Sequence, residues 1–216
     1  IKQVKVAFIG LGNRGIEHLQ LVDSLCPEKA VITAICDVQQ IKVDAAIEEL
    51  KKSGHGQNPK VYTGTLDIWK EMIKRDDIDL VIISTPWEDH TPMCVISMQH
   101  NKHVAVEVPA AYTFEDTWKL VNTAEETQRH CMMMENVCYR RDVMAVLNMT
   151  RKGMFGELLH GQGGYEHDLR GVLFNDGKTA YNSGVDFGPT AYSEAQWRTG
   201  HNKNRNGELY PTHGLG

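Results

Sequence analysis

Three glycines near the start of the chain have a spacing that suits phosphate binding. Gly10, Gly12 and Gly15 follow the apolar run 4–9 and precede an amphipathic stretch. In such a strand–turn–helix context the first glycine makes a tight turn, and the second lets a pyrophosphate approach the backbone. The third lets the helix pack closely against the strand, and the start of the helix faces the phosphates. The contacts expected from this loop are Gly10, Gly12, Asn13, Arg14 and Gly15.

An acidic residue follows the second apolar run of the chain. Asp37 comes directly after 30–36, where a carboxylate can accept hydrogen bonds from both hydroxyls of an adenosine ribose. Its negative charge would repel the 2′-phosphate of NADP. The glycines and the acid together therefore predict a site for NAD(H). The alternative is a glycine turn with an unrelated aspartate.

Two later loops are expected at the same edge of the sheet. The segments 84–90 and 107–110 each follow an apolar run, and ligands of open α/β sheets bind at the carboxyl ends of the strands. Trp87 could pack beside a cofactor, whereas His90 could bond it or only cap the next helix. The candidate cofactor contacts in these loops are Thr85, Trp87, His90, Glu107 and Val108.

Strands and helices must alternate to bring these loops together. The predicted strands are 4–9, 30–36, 80–83 and 104–106. The predicted helices are a stretch that ends near 25, then 43–52, 66–74, 92–99 and 113–130. A surface loop rich in Gly, Asn and Pro is expected over 53–60. This alternation predicts right-handed crossovers and a doubly wound parallel sheet of the α/β class.

The composition of the sequence changes after about 139. A helix is expected over 141–152, closed by Gly153, and glycine-rich segments with most of the aromatic and histidine residues follow it. We therefore predict a Rossmann domain over 1–138 and an incomplete α+β open-sheet domain over 139–216.

Composition excludes several classes of partner. The 216 residues carry a net charge of −5, without the basic surface that nucleic acid requires, and no apolar run is long enough to span a membrane. The five cysteines show no C-x-x-C spacing, so we expect buried thiols rather than a disulfide framework or a zinc site. The chain begins at Ile1 and stops at Gly216 within a motif, so we expect the front part of a longer protein and leave its localisation open.

The cofactor motifs resemble the glucose–fructose oxidoreductase/inositol dehydrogenase (Gfo/Idh/MocA) family. The resemblance lies in the glycine loop, in Cys36-Asp37-Val38, in Thr85-Pro86 followed by His90, and in Glu107-x-Pro109. Members carry a C-terminal domain with a large open sheet, which commonly mediates assembly into homo-oligomers. Ordinary dehydrogenases of the family have lysine where this chain has Val108. A valine cannot transfer a proton, which argues against simple alcohol dehydrogenation.

Four further motifs together resemble glycoside hydrolase family 109, a bacterial family of NAD-dependent α-N-acetylgalactosaminidases. They are Glu107-Val108-Pro109-Ala110-Ala111, Glu135-Asn136-x-Cys138-Tyr139, Tyr165-x-His167-Asp168-Leu169-Arg170 and Tyr210-Pro211-Thr212-His213-Gly214-Leu215-Gly216. The resemblance implies a glycan substrate and transient oxidation at sugar carbon 3. Elimination, addition of water and re-reduction would complete the reaction. The implied catalytic residues are Glu135, Tyr165, His167, Tyr210 and His213. The implied substrate contacts are Tyr165, Arg198, Tyr210, Pro211, Thr212 and His213, and Asn136 is an implied cofactor contact.

Other interpretations remain open at the level of sequence. One is an ordinary NAD-dependent sugar or polyol dehydrogenase with an altered base, and another is an NAD-binding protein without catalysis. A metal at His167 is disfavoured, because its spacing from neighbouring acids fits no standard ligand set.

Overall fold

The computed structural model describes residues 3–162, together with 164 and 204. The chain divides into two compact units, Ile1–Met134 and Glu135–Gly216. The predicted domain boundary between 138 and 139 stays a prediction. Most of the expected open-sheet domain lies outside the described residues.

The first unit is built on one sheet of six parallel strands in the order β3-β2-β1-β4-β5-β6. The strands are β1 (Val4–Ile9), β2 (Ala30–Cys36), β3 (Lys60–Tyr62), β4 (Leu80–Ile83), β5 (His103–Val106) and β6 (Cys131–Met133). The order turns back between β1 and β4, so a crevice opens above the carboxyl ends of these two strands. This arrangement confirms the predicted doubly wound α/β fold.

Helices connect the strands and begin or end at different residues from those predicted. They are α1 (Asn13–Asp23), α2 (Gln40–Ser53), α3 (Ile68–Ile73), α4 (Trp87–Gln99) and α5 (Phe114–Thr127), with α6 (Arg141–Arg151) in the second unit. Among the described residues, no helix is long and apolar enough to cross a bilayer.

Two sequence-based assignments of structure were wrong. The start of α4 was placed at Pro92, but the helix begins at Trp87 and contains this proline. Pro86 precedes the helix with φ −56°, and Pro92 is its sixth residue, where a proline removes one backbone N–H donor from the helix without ending it here. The short strands β3 and β6 were not predicted, since three residues are too few to show a period.

Both faces of the sheet are covered, which explains the continuous apolar runs. Along β1, Val6 and Phe8 pack on one face, whereas Ala7 and Ile9 pack on the other. All four are buried. A sheet packed in this way gives the loops at its edge a rigid base.

One hydrogen bond fixes the start of α5. The hydroxyl of Thr113 accepts from the backbone N–H of Asp116 at 3.1 Å. We expect Thr113→Ala to lower the free energy of unfolding by about 1 kcal/mol, measured by urea denaturation. Thr117→Ala, one turn later on an exposed position, is the control and should not destabilise the protein. Equal stability of Thr113→Ala and wild type would contradict the assignment.

Candidate cofactor site

The three glycines of the first loop have different structural roles. Gly10 has φ +88°, and a Cβ there would stand 2.5 Å from the carbonyl oxygen of Ser84. A Cβ on Gly15 would stand 2.0 Å from the carbonyl oxygen of Gly10. These two glycines are therefore required by the fold itself. A Cβ on Gly12 would meet no described atom within 4 Å, so the described part of the protein leaves this space open.

The open space lies at the start of α1, where an anion is favoured. Gly12 is the N-cap of α1 and offers no side chain to the first turn, which also lacks acidic residues. A helix start of this kind attracts phosphate through its N–H groups and its dipole. The loop therefore fits a pyrophosphate, with Gly12 as the position of close approach.

Asp37 lies beside this loop, as the sequence predicted for the adenosine end. One carboxylate oxygen accepts from the N–H of Leu11 at 2.8 Å, and the other accepts from the N–H of Gln39 at 2.8 Å. Burial raises the pKa of Asp37, while these two bonds and the charge of Lys42 act in the opposite direction. Each carboxylate oxygen has a second lone pair, so the side chain can hold the loop and a ribose together.

His90 connects the two later loops of the site. Its ring is fully buried; Nδ1 lies 2.8 Å from the carbonyl oxygen of Pro109 and Nε2 lies 2.9 Å from that of Thr85. The ring lies between the loop after β4 and the loop after β5, and as a neutral imidazole it donates its single N–H to one of these two carbonyl oxygens at a time. The cofactor contact expected for His90 stays a prediction. Trp87, expected to pack beside the cofactor, is also buried at the start of α4.

The burial of His90 makes the stability of the protein depend on pH. Burial lowers the pKa of His90, against the effects of its two carbonyl partners and Glu107. The unfolded chain therefore binds this proton more tightly than the folded chain. The contribution of His90 to stability is complete above a pH of about 6.5. It falls below that pH by at most about 1.4 kcal/mol per unit.

We expect His90→Gln to flatten this part of the profile, since glutamine can donate to a carbonyl but does not titrate. Urea unfolding of both proteins between pH 5 and 8 measures the difference. Parallel profiles for the two proteins would contradict the assignment.

Glu107 follows β5 and reaches across to α1. Its Oε1 accepts from Nε2 of His18 at 2.7 Å and lies 3.6 Å from Nε of Arg14. Its Oε2 accepts from the N–H of Val108 at 3.1 Å. Burial acts to raise the pKa of Glu107, but these partners outweigh it and hold the pKa below its usual value. At neutral pH the carboxylate is therefore charged.

Arg14, Glu107 and Val108 were predicted as cofactor contacts, but His18 was not predicted as part of the site. The available signal was helical spacing, because positions 14 and 18 lie on one face of α1. The partner of His18 is 89 residues away, and no local pattern connects them.

The remaining predicted residues belong to the second unit. Glu135 is half-buried, and its Oε1 accepts from the N–H of Val137 at 3.3 Å. Asn136 is exposed. The other predicted residues of this unit lie outside the described residues: Tyr165, His167, Arg198, Tyr210, Pro211, Thr212 and His213.

The cysteines differ in part from the expectation of buried thiols. Cys26, Cys36 and Cys94 are buried, but Cys131 is only partly buried and Cys138 is exposed. Over the described ranges, no group of three or more His, Cys, Asp or Glu side chains could hold a metal ion.

Curated relatives match nearly the whole chain. A glycosyl hydrolase family 109 protein from Parabacteroides distasonis is 50% identical over 220 residues, which cover 99% of this chain and 46% of the relative. An α-N-acetylgalactosaminidase from Tannerella forsythia is 48% identical over 217 residues, covering 99% and 46%. The chain thus spans about half the length of these relatives.

Solved structures share the fold at low sequence identity. The WlbA dehydrogenase of Chromobacterium violaceum, in complex with NADH and UDP-GlcNAcA, has a TM-score of 0.63 at 20% identity, covering 72% of this chain and 42% of that chain. A scyllo-inositol dehydrogenase of Lactobacillus casei with bound NAD(H) also has a TM-score of 0.63, at 19% identity, covering 72% and 43%.

Two protein families match different parts of the chain. Residues 4–135 match the oxidoreductase family with the NAD-binding Rossmann fold. Residues 139–216 match the C-terminal domain of glycosyl hydrolase 109. The chain therefore belongs to the oxidoreductase family with the NAD-binding Rossmann fold, and its residues 139–216 are similar to the C-terminal domain of glycosyl hydrolase 109.

Proposed function

We propose that the protein is a glycosidase that hydrolyses terminal α-N-acetylgalactosamine with NAD as a cofactor that is not consumed. The observation that carries the proposal is a dinucleotide site whose loop after β5 presents Val108 where a dehydrogenase needs a proton-transferring lysine. Two further facts support it: the match of 139–216 to the glycosyl hydrolase 109 domain, and relatives named α-N-acetylgalactosaminidase.

The first unit has the residues needed to hold the cofactor. The open face of Gly12 and the start of α1 would receive the pyrophosphate, and Asp37 would receive the adenosine ribose. Thr85 and the Glu107–Val108 segment border the other half of the crevice. When bound, NAD⁺ supplies a hydride acceptor for sugar carbon 3 and later the hydride that restores it.

The proton transfers are assigned to side chains of the second unit. In this proposal His213 or Tyr210 takes the proton of the carbon 3 hydroxyl as the hydride leaves. The resulting ketone acidifies carbon 2, and Tyr165 removes its proton. The bond between carbon 1 and the leaving group then breaks, with His167 and Glu135 orienting or protonating that group.

The reverse steps close the cycle without net oxidation. Water adds to carbon 1 of the unsaturated ketone, a proton returns to carbon 2, and carbon 3 regains its hydride while its oxygen regains the proton held by His213 or Tyr210. We assign substrate contacts to Arg198, Pro211 and Thr212, and a cofactor contact to Asn136. We further propose a homo-oligomer formed through the C-terminal sheet, which sedimentation of the full-length protein would test against a monomer.

The function can be tested by following two products at once. The protein is incubated with NAD⁺ and an aryl α-N-acetylgalactosaminide while phenol release and NADH absorbance are recorded. Phenol without net NADH is expected, and removal of NAD⁺ should abolish it. Stoichiometric NADH without phenol would indicate a dehydrogenase instead, and cofactor binding with neither signal would indicate a non-catalytic protein.

The role given to His213 is tested by His213→Ala. Unchanged turnover in this variant would remove that role.

A further inference from the structure

The fold places Glu107 on one particular side of the cofactor crevice. The strand order runs from β2, which carries Asp37 at its end, through β1 to β4 and β5. Because an acid at the end of β2 receives the adenosine ribose, the nicotinamide half must extend over β4 and β5. Glu107 follows β5 directly, and its N–H continues the ladder to Ile83 at 3.0 Å. Its carboxylate is therefore on the nicotinamide side.

The side chain of Glu107 is held in one orientation by two bonds to different elements. His18 donates to Oε1 from α1, and the N–H of Val108 donates to Oε2 from the loop. The side chains of His18 and Glu107 are only 17% and 15% exposed. Arg14 approaches the same oxygen, but its side chain is 50% exposed and also pairs with Glu17. His18 is thus the closer and more buried partner of this carboxylate.

A fixed negative charge on this side acts differently on the two forms of the cofactor. The nicotinamide ring is cationic when oxidised and neutral when reduced, so a nearby carboxylate attracts the oxidised ring more strongly. We propose that His18 is a positioning residue that holds Glu107 where its charge favours bound NAD⁺ over bound NADH.

Such a preference suits a cofactor that must recover its starting state. The benefit of this preference rests on the proposed function, in which the hydride is returned within each turnover. A site that favours the oxidised form makes the return of the hydride easier and keeps the resting protein ready for the next substrate.

Two substitutions separate the charge of Glu107 from its position. Glu107→Gln keeps the shape: its oxygen can accept from Val108, and its amide can donate to His18 once the imidazole changes tautomer. We expect this variant to raise the ratio of the NAD⁺ dissociation constant to the NADH dissociation constant by about tenfold, or about 1.4 kcal/mol. His18→Leu should raise the same ratio by about threefold, since the carboxylate keeps its charge but loses its support.

His18→Gln tests whether the donated hydrogen bond is what matters. The glutamine amide can reach Oε1 in place of Nε2 of His18, so this variant should restore most of the wild-type ratio.

A second histidine–carboxylate pair, between the loop after α2 and the last residue of α1, provides the matched control. Nδ1 of His55 lies 2.9 Å from Asp23, the last residue of the 11-residue helix α1, about 16 Å along its axis from the glycine loop. His55→Leu should lower stability and leave the ratio of dissociation constants unchanged.

The measurement is calorimetric titration of the full-length protein with NAD⁺ and with NADH. If His18→Leu weakens both by the same factor, or if Glu107→Gln leaves the ratio unchanged, the proposal is overturned. Absence of binding by either form overturns it as well. The ratio is independent of hydrolysis, so a shifted ratio together with no phenol release would uphold this inference and remove only the proposed function.

Discussion

Gly12→Ala should fold like the wild-type protein and bind NAD⁺ about ten- to a hundredfold more weakly. A Cβ at this position meets no described atom of the protein within 4 Å, and the backbone of Gly12, at φ −67°, is accessible to alanine. The methyl group would instead occupy the space that the pyrophosphate needs. Overpacking of this kind costs about 1–3 kcal/mol, which gives the expected loss of affinity.

Gly15→Ala is the contrasting variant for this prediction. Its Cβ would lie 2.0 Å from the carbonyl oxygen of Gly10, so we expect a large loss of stability by thermal denaturation before any binding is measured. Calorimetry and denaturation of both variants separate the two roles. Wild-type affinity in a folded Gly12→Ala protein would show that the cofactor does not approach this loop.

Asp37→Ser should reverse much of the preference for NAD⁺ over NADP⁺. The carboxylate would repel a 2′-phosphate, and Lys42 lies close enough to act on the charge of Asp37. Removing the acid leaves that positive charge near the phosphate. We expect NAD⁺ to bind about tenfold more weakly, since hydrogen bonds to a charged acceptor contribute about 1.5–3 kcal/mol. We expect NADP⁺ to bind more tightly than in the wild type.

The control for Asp37→Ser makes the same change of charge on the same side of the sheet. Asp44 is exposed on α2 and is bonded to Gln40, so Asp44→Asn should leave both affinities unchanged. Dissociation constants for both cofactors are measured by titration. An Asp37→Ser protein that still rejects NADP⁺ would show that the discrimination lies elsewhere.

The sequence was informative where one local pattern determines one structural outcome. The glycine spacing reports a backbone requirement, the apolar runs report burial on both faces of the sheet, and the acid after 30–36 reports a hydrogen-bond acceptor at the end of a strand. They predicted the sheet, the pyrophosphate loop and the position of Asp37. The start of α4 was predicted wrongly because proline was interpreted as the first residue of a helix, whereas Pro92 lies inside it.

Contacts between distant segments could not be predicted. His90 is joined to Pro109 across 19 residues, and His18 to Glu107 across 89. Their partners are defined only once β4, β5 and α1 pack together. The sequence around a buried histidine does not show whether its ring bonds a neighbouring loop or a ligand. The proton-transfer residues of the second unit remain predictions from resemblance, because all of them except Glu135 lie outside the described residues.

In the proposed reaction, sugar carbon 2 loses and regains a proton during hydrolysis. The direct measurement is hydrolysis of an aryl α-N-acetylgalactosaminide in deuterium oxide with NAD⁺ present, followed by proton NMR of the released sugar. We expect deuterium at carbon 2 of the product, because the proton that returns comes from solvent. Complete hydrolysis to a sugar that retains its original hydrogen at carbon 2 would contradict the elimination route.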